Sequence, residues 1–200
     1  MTFRQVLVAP DERIATLFFP EVGIASITFE GVEVGVVGRE GLVGGTVVLL
    51  GSDTSPYSHV VQVPGAMLTI DTEALRGAIA ASPSLGRMFL HFVRAYVIQT
   101  SHTAYANASY GIEARLARWL LMCHDRVDGD EIRITHEYLG QMLGMHRTGV
   151  TMALQSLQAN GLVRAQRGGV VILRHAGLVA LAGDSYGVPE ASYARLLGNA

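Results

Sequence analysis

Two changes of pattern along the chain predict an α+β fold. Short Val- and Ile-rich runs punctuated by Gly, Pro and Asp fill residues 1–75, repeating roughly every ten residues as in a sandwich or barrel. From Pro83 onward apolar residues recur at helical spacing instead. After Asp130 short strand-like runs return around a pair of small helices.

The predicted strands are Gln5–Val8, Ile14–Phe19, Ile24–Phe29, Val32–Val37, Val43–Leu50, His59–Val63 and Met67–Ile70, with glycines at the corners between them. Ser82 then offers a helix cap and Pro83 a first helical residue. Leu85, Met88, Phe89, Phe92, Tyr96 and Val97 extend a helix over 83–108. That helix is apolar on more than one face and needs two partners, the β domain and the same helix of a second subunit. Ile112, Leu116, Trp119, Leu120 and Cys123 mark a further helix with one apolar stripe, and Asp128-Gly129-Asp130 turns the chain into a short strand around Ile132 and Ile134.

The next stretch carries the chemistry. Thr135 is placed to cap a helix over 136–143, although Tyr138 stands where a complete capping box has Glu or Gln. Gly140 lies where a partner helix would approach closely, and Gly144 where a sharp turn wants positive φ. A second helix follows His146, with Val150, Ala153, Leu154 and Leu157 inward and Arg147, Thr148, Thr151 and Gln155 outward. Two short helices joined by a glycine turn, with a polar outer face on the second, make a helix-turn-helix. Leu162–Arg167 and Val170–Arg174 flank Gly168-Gly169 as a hairpin, a wing bearing Arg164 and Arg167. Arg147 is suited to paired hydrogen bonds with guanine, the threonines to thymine methyls or phosphates, and His146 with the helix-start amides to a phosphate. Helical pairs also simply pack cores, so charge matters to the choice.

The net charge is −2, and all fifteen basic residues are arginine. Residues 1–110 hold six Arg against nine Asp/Glu, whereas residues 133–174 hold Arg133, Arg147, Arg164, Arg167 and Arg174 against Glu137 alone, a local balance of +4. A basic segment on an acidic chain is the footprint of a polyanion partner, and a solvated patch is the plainer alternative. Half the residues are hydrophobic and 16% are charged, as in a folded protein. No apolar run reaches the ~20 residues of a membrane span, and Asp11, Glu12 and Arg13 interrupt the N-terminal region early. The reading is a cytoplasmic protein with no membrane partner. One cysteine, Cys123, excludes an intramolecular disulfide and any multi-cysteine metal cluster within a chain.

Residues 132–173, from Ile132-Arg133-Ile134-Thr135 through Leu139-Gly140-Gln141-Met142-Leu143-Gly144-Met145-His146-Arg147 to Gly161-Leu162-Val163, resemble the C-terminal winged helix of the Crp/Fnr superfamily. Phe19-Pro20-Glu21-Val22-Gly23-Ile24-Ala25-Ser26 and Gly35-Val36-Val37-Gly38-Arg39-Glu40-Gly41 look like strands of that family's cyclic-nucleotide-binding β-roll, and the helix at 83–108 sits where the family has its dimer helix. The resemblance implies a β-roll or jelly roll over 1–82, a dimerisation helix over 83–110 and a winged helix-turn-helix DNA-binding domain over 111–200. It implies a non-enzymatic transcription regulator, a homodimer on a two-fold site in double-stranded DNA, meeting RNA polymerase if it activates. The DNA-binding set is then Arg147, Thr148, Thr151, Gln155, His146, Thr135, Arg133, Arg164 and Arg167, with Arg147 as guanine reader. His146 and Thr148 replace the Ser and Glu that often flank that arginine in the family.

The β-roll departs from the same pattern. Cyclic-nucleotide binders of the family use Gly-Glu-Leu and then an Arg followed by Ser or Thr. Here Gly44-Gly45-Thr46 occupies the first place and Ser55-Pro56-Tyr57 the second. His59 is the only basic residue between Arg39 and Arg76, and a buried phosphate without a cation is costly. Cyclic AMP is therefore not expected to bind in the family's usual way. Gly44, Gly45 and Thr46 remain candidate effector contacts, with Thr100-Ser101, which matches the family's base-contacting pair on the dimer helix. The effector is unknown, and no cofactor or metal site is predicted. His91 and His102 share one helix face, where packed histidines are the plain reading and a metal or haem shared across a dimer the sharper one. Cys123 reads as a buried inert thiol. Residues 1–80 hold no histidine but His59, which argues against a facial metal site of the cupin kind, and neither a phosphate-binding Gly-Lys loop nor a Ser-His-Asp arrangement is visible. The remaining alternative is a cyclic-nucleotide or other small-ligand sensor, or an interaction module, in which DNA binding is lost.

Overall fold

The computed structural model describes residues 1–197, which divide into two compact units. The first comprises Met1–Phe29, Val34–Ser101 and the described residues from Pro189 onward; the second comprises Glu30–Glu33 and His102–Val188. The fold is the mixed α/β arrangement predicted: N-terminal strands, one long helix and a C-terminal helix-turn-helix. No helix among the described residues is long and apolar enough to cross a membrane.

Strands β1 (Val6–Val8), β3 (Ile24–Phe29), β4 (Val32–Val37, grouped with the first unit from Val34) and β5 (Ser58–Val63) form a sheet in the order β1-β5-β3-β4. Strands β2 (Thr16–Pro20) and β6 (Met67–Asp71) pair antiparallel in a second sheet, in register from Thr16 opposite Asp71 to Pro20 opposite Met67. Alternate strand residues turn inward, so Leu17, Ala25, Ile27 and Val37 meet Leu42, Val43, Phe89, Phe92 and Val93 in one apolar core.

Between β4 and Pro83 two elements differ from the sequence prediction. Val43–Leu50 is not a strand. Only Val43 bridges to Phe18; the backbone turns at Gly44, with φ 80°, and continues as the short helix α1 (Gly45–Leu49). Valine-rich composition favours strands, but packing decides here. A Cβ on Gly45 would lie 2.6 Å from Leu42 side-chain atoms, so the start of α1 packs closely against that leucine. The second difference is α2 (Thr72–Ala81), for which no helix is predicted. The Asp71 carboxylate caps it by accepting from the Glu73 and Ala74 amides at 2.9 and 3.1 Å, and Leu75 is buried.

Helix α3 (Pro83–Ser109) begins as predicted, with Ser82 Oγ accepting from the Leu85 amide at 3.4 Å. Met88, Leu90 and Val97 are exposed on it. In the second unit α4 (Ile112–His124) buries its apolar stripe almost completely, including Leu116, Trp119, Leu120 and Cys123. The indole N–H of Trp119 donates to Glu33 at 2.9 Å, which fixes a buried carboxylate beside a buried ring. Strands β7 (Glu131–Arg133), β8 (Val163–Gln166) and β9 (Gly169–Ile172) form a sheet in the order β7-β9-β8. Between β7 and β8 lie α5 (His136–Met142) and α6 (Arg147–Ala159); after β9 come α7 (His175–Ala182) and, grouped from Pro189 with the first unit, α8 (Val188–Leu197).

Candidate nucleic-acid interface and cavity

The helix-turn-helix is assembled from local signals. Thr135 has extended backbone and its Oγ1 accepts from the Tyr138 amide at 3.2 Å, so α5 starts where a cap is present. The chain leaves α5 through Gly144, with φ 60°, and the Met145 amide donates back to Gly140 O at 2.8 Å. A Cβ on Gly140 would sit 2.9 Å from the Met145 carbonyl oxygen, so only glycine lets the turn fold against α5. Arg115 adds a bond to the Leu143 carbonyl at 2.6 Å, satisfying an orphan acceptor at the end of α5. At Gly149, in the first turn of α6, a Cβ would approach Ile112 Cδ1 to 3.0 Å, so a larger residue there requires that side chain to shift.

Val150, Ala153, Leu154 and Leu157 of α6 are buried, each at 2% exposure or less, and the opposite face meets solvent. His146, Arg147, Thr148 and Gln155 are exposed. Thr151 is half-buried; its Oγ1 donates to Arg147 O at 3.0 Å and lies 3.4 Å from His136 Nδ1. Met152, 69% exposed, stands between Thr148 and Gln155 on the outer face. Sequence reasoning passes over it because a methionine at helical spacing reads as core; its offset of four from Thr148 places it outside.

The wing is β8 and β9 joined at Arg167-Gly168, with Gln166 opposite Gly169 and Arg164 opposite Val171. Arg133, Arg164 and Arg167 are exposed. Arg133 lies 3.9 Å from Glu131, which accepts from Gln166 Nε2 at 3.0 Å. Among the described residues Arg147, Arg164 and Arg167 have no side-chain hydrogen bond or ion pair. Arg174, the fifth arginine of the basic segment, is used internally: it donates to the Asn160 and Gly161 carbonyls and closes the C-terminal end of α6. The basic charge thus concentrates at the start of α6 and along the wing.

The first unit contains a cavity of about 390 Å³. Ile27, Val34, Val47, Leu50, Val93 and Val97 supply its apolar walls, and Thr46, Tyr57, His59, Tyr96 and Thr100 its polar groups. Among the described residues no arginine, aspartate or glutamate lines it. Of the effector contacts expected from sequence, Thr46 and Thr100 line it, whereas Gly44, Gly45 and Ser101 do not. Gly44 faces Leu17 and Ile14, Gly45 faces Leu42, and the Ser101 hydroxyl donates to Val97 O at 2.8 Å. His59, Tyr57 and Tyr96 join the wall because strand pairing and α3 packing bring them there; no spacing in the sequence signals it.

His59 is 1% exposed and its Nδ1 has no partner. Burial alone pushes its pKa down from 6.5 to about 4, so the ring is neutral at pH 7. Between pH 6.5 and 4 the unfolded chain takes up a proton that the folded chain does not, so stability falls as pH falls through that window. The expected loss from His59 is about 2 kcal/mol between about pH 7.5 and about pH 5. Urea unfolding of the wild type and His59→Gln at both pH values tests it: the wild type should lose about 2 kcal/mol more than the variant, and equal losses would contradict the buried neutral ring.

His91 and His102 each carry a buried Nδ1 without a partner, and neither belongs to a group of three candidate metal ligands among the described residues.

Residues 114–181 match the family model of the Crp-like helix-turn-helix domain. The global nitrogen regulator of Synechococcus elongatus is 24% identical over 179 residues, covering 84% of this chain and 81% of that protein. FixK2 from Bradyrhizobium japonicum superposes with a TM-score of 0.76 at 13% identity, over 90% of this chain and 94% of its own. A Crp-family transcriptional regulator from Thermus thermophilus superposes with a TM-score of 0.75 at 16% identity, over 92% of this chain and 96% of its own. At these identities the structural likenesses speak to the fold.

Proposed function

We propose that the chain is a transcription regulator of the Crp/Fnr superfamily, a reading supported by the Crp-like helix-turn-helix match over residues 114–181 and the likeness to the global nitrogen regulator, and that it acts as a homodimer that reads a two-fold site in double-stranded DNA with α6 and the wing. The observation that carries this reading is the set of exposed, unpaired guanidinium groups of Arg147, Arg164 and Arg167, two of them on the wing and one opening α6. A helix of this size enters the major groove by its N-terminal end. Arg147 pairs with guanine there, Thr148, Met152 and Gln155 meet neighbouring bases, and His146 with Thr151 flanks them. Thr135 and Arg133 stand at the edge, and the wing arginines contact phosphates. Exposed Leu90 and Val97, seven residues apart on α3, supply an apolar stripe for the second subunit. Two half-sites about 34 Å apart follow from such a dimer. If the dimer activates, its further partner is RNA polymerase.

The cavity of the first unit takes the effector, and its chemistry selects an uncharged, largely apolar molecule. Cyclic AMP would bury a phosphate against neutral His59, with no cation among the lining residues. Calorimetric titration with cyclic AMP is expected to be flat, and micromolar binding would refute this part.

Salt titration tests the DNA reading. Affinity for duplex DNA should fall steeply as salt rises, and Arg164→Ala and Arg167→Ala should each reduce the slope of log K against log salt by about one. Absence of duplex binding, or binding indifferent to salt, would leave an interaction module instead.

A further inference from the structure

We infer that the second unit carries a binding site for a divalent transition-metal ion of the zinc class, formed by His124, Asp125 and His175. One ligand atom from each of these residues lies within 4.8 Å of the other two. His124 is the last residue of α4, Asp125 caps that helix, and His175 opens α7 directly after the wing. The two imidazole rings are 5.5 Å apart, centroid to centroid. His124 is half-buried while Asp125 and His175 are exposed, so the group is anchored on one side and open to solvent on the other.

The surroundings supply what such a site needs. Asp130 lies 2.9 Å from His124 Nε2. A carboxylate that accepts the Nε2 proton leaves the Nδ1 lone pair for a metal, the carboxylate–histidine–metal arrangement that orients ligating imidazoles. The Tyr186 hydroxyl donates to both oxygens of Asp125, at 3.0 and 2.9 Å, which holds the second ligand in place. The C-terminal end of α4 adds the negative end of a helix dipole, which favours a cation. The basic residues adjacent to the group in sequence are engaged elsewhere: Arg126 donates to Met122 O and Arg174 to the end of α6. Two imidazoles and a carboxylate select zinc, cobalt or nickel over magnesium or calcium, which prefer oxygen alone. Bond lengths of about 2.0–2.2 Å require the three side chains to close slightly, which the exposed positions of Asp125 and His175 allow. Water completes the coordination. Bound metal would tie the end of α4 to the segment that leaves the wing.

The test uses the full chain without a histidine tag, treated with chelator and exchanged into chelator-free buffer. Zinc ion alone is titrated calorimetrically, and cobalt(II) is added in parallel for its visible absorption. One saturable zinc per chain is expected, with a higher unfolding temperature in its presence and cobalt bands typical of histidine ligation. His175→Ala, at an exposed position, and Asp125→Asn should each weaken zinc binding at least about tenfold with an unchanged far-ultraviolet spectrum, and Asp130→Asn should weaken it about tenfold through His124. A His91→Ala/His102→Ala protein should bind as the wild type does. No saturable zinc, or zinc binding that His175→Ala leaves intact, would overturn the site. The measurement contains no DNA, so it stands or falls separately from the regulatory reading.

Discussion

Leu154→Ala is expected to lower the stability of the helix-turn-helix unit by about 2–5 kcal/mol. Leu154 is 1% exposed and lies on the face of α6 that also buries Val150, Ala153 and Leu157. Removing three carbons there forfeits their transfer free energy and leaves a cavity that helices held by a close turn at Gly140 cannot collapse to fill. The neighbouring Gln155 is exposed, and its alanine variant should stay within about 0.5 kcal/mol of wild type. Denaturant unfolding of both variants measures the contrast. A cost below about 1 kcal/mol for Leu154→Ala would mean that this face is not packed as described.

Arg147→Ala should do the reverse, leaving stability nearly unchanged while costing about 1–3 kcal/mol of affinity for a cognate site. The side chain is exposed and, among the described residues, makes no polar contact that its loss would break. A cognate site is obtained by selecting from a random duplex pool with the wild-type protein, and affinity is then measured by titration at fixed salt. The guanine preference at one position per half-site should relax in the variant. Arg147→Lys should keep the phosphate attraction yet fail to restore that preference, because an ammonium cannot make the planar paired contact of a guanidinium. Equal affinity and equal selectivity for Arg147→Ala would remove Arg147 from the recognition set.

Much of the candidate interface was legible because its signals are short-range. The cap at Thr135, the left-handed turn at Gly144 and the apolar offsets of Val150, Ala153, Leu154 and Leu157 all act within a few residues. The wing pairs across a tight turn, so its register follows from the same few residues. Arg174 was misleading for the opposite reason. In the chain it counts as one more basic charge, yet its guanidinium donates to a carbonyl thirteen residues earlier. The predicted strand at Val43–Leu50 failed similarly, since β-branched composition reports what fits a pleated surface and cannot report whether a strand partner is within reach.

The sequence by itself determined the α+β class, the order of β region, long helix and winged helix-turn-helix, and the residues on the outer face of α6. Those rest on periodicity, capping and turn chemistry, which operate between neighbours. Only the tertiary structure decided that His59 is buried and neutral in the wall of an apolar cavity, that Arg174 is spent on carbonyls, and that His124, Asp125 and His175 converge. Each of these depends on residues brought together from distant parts of the chain. Burial and the approach of charged or ligating groups are properties of that packing, and no local pattern encodes them.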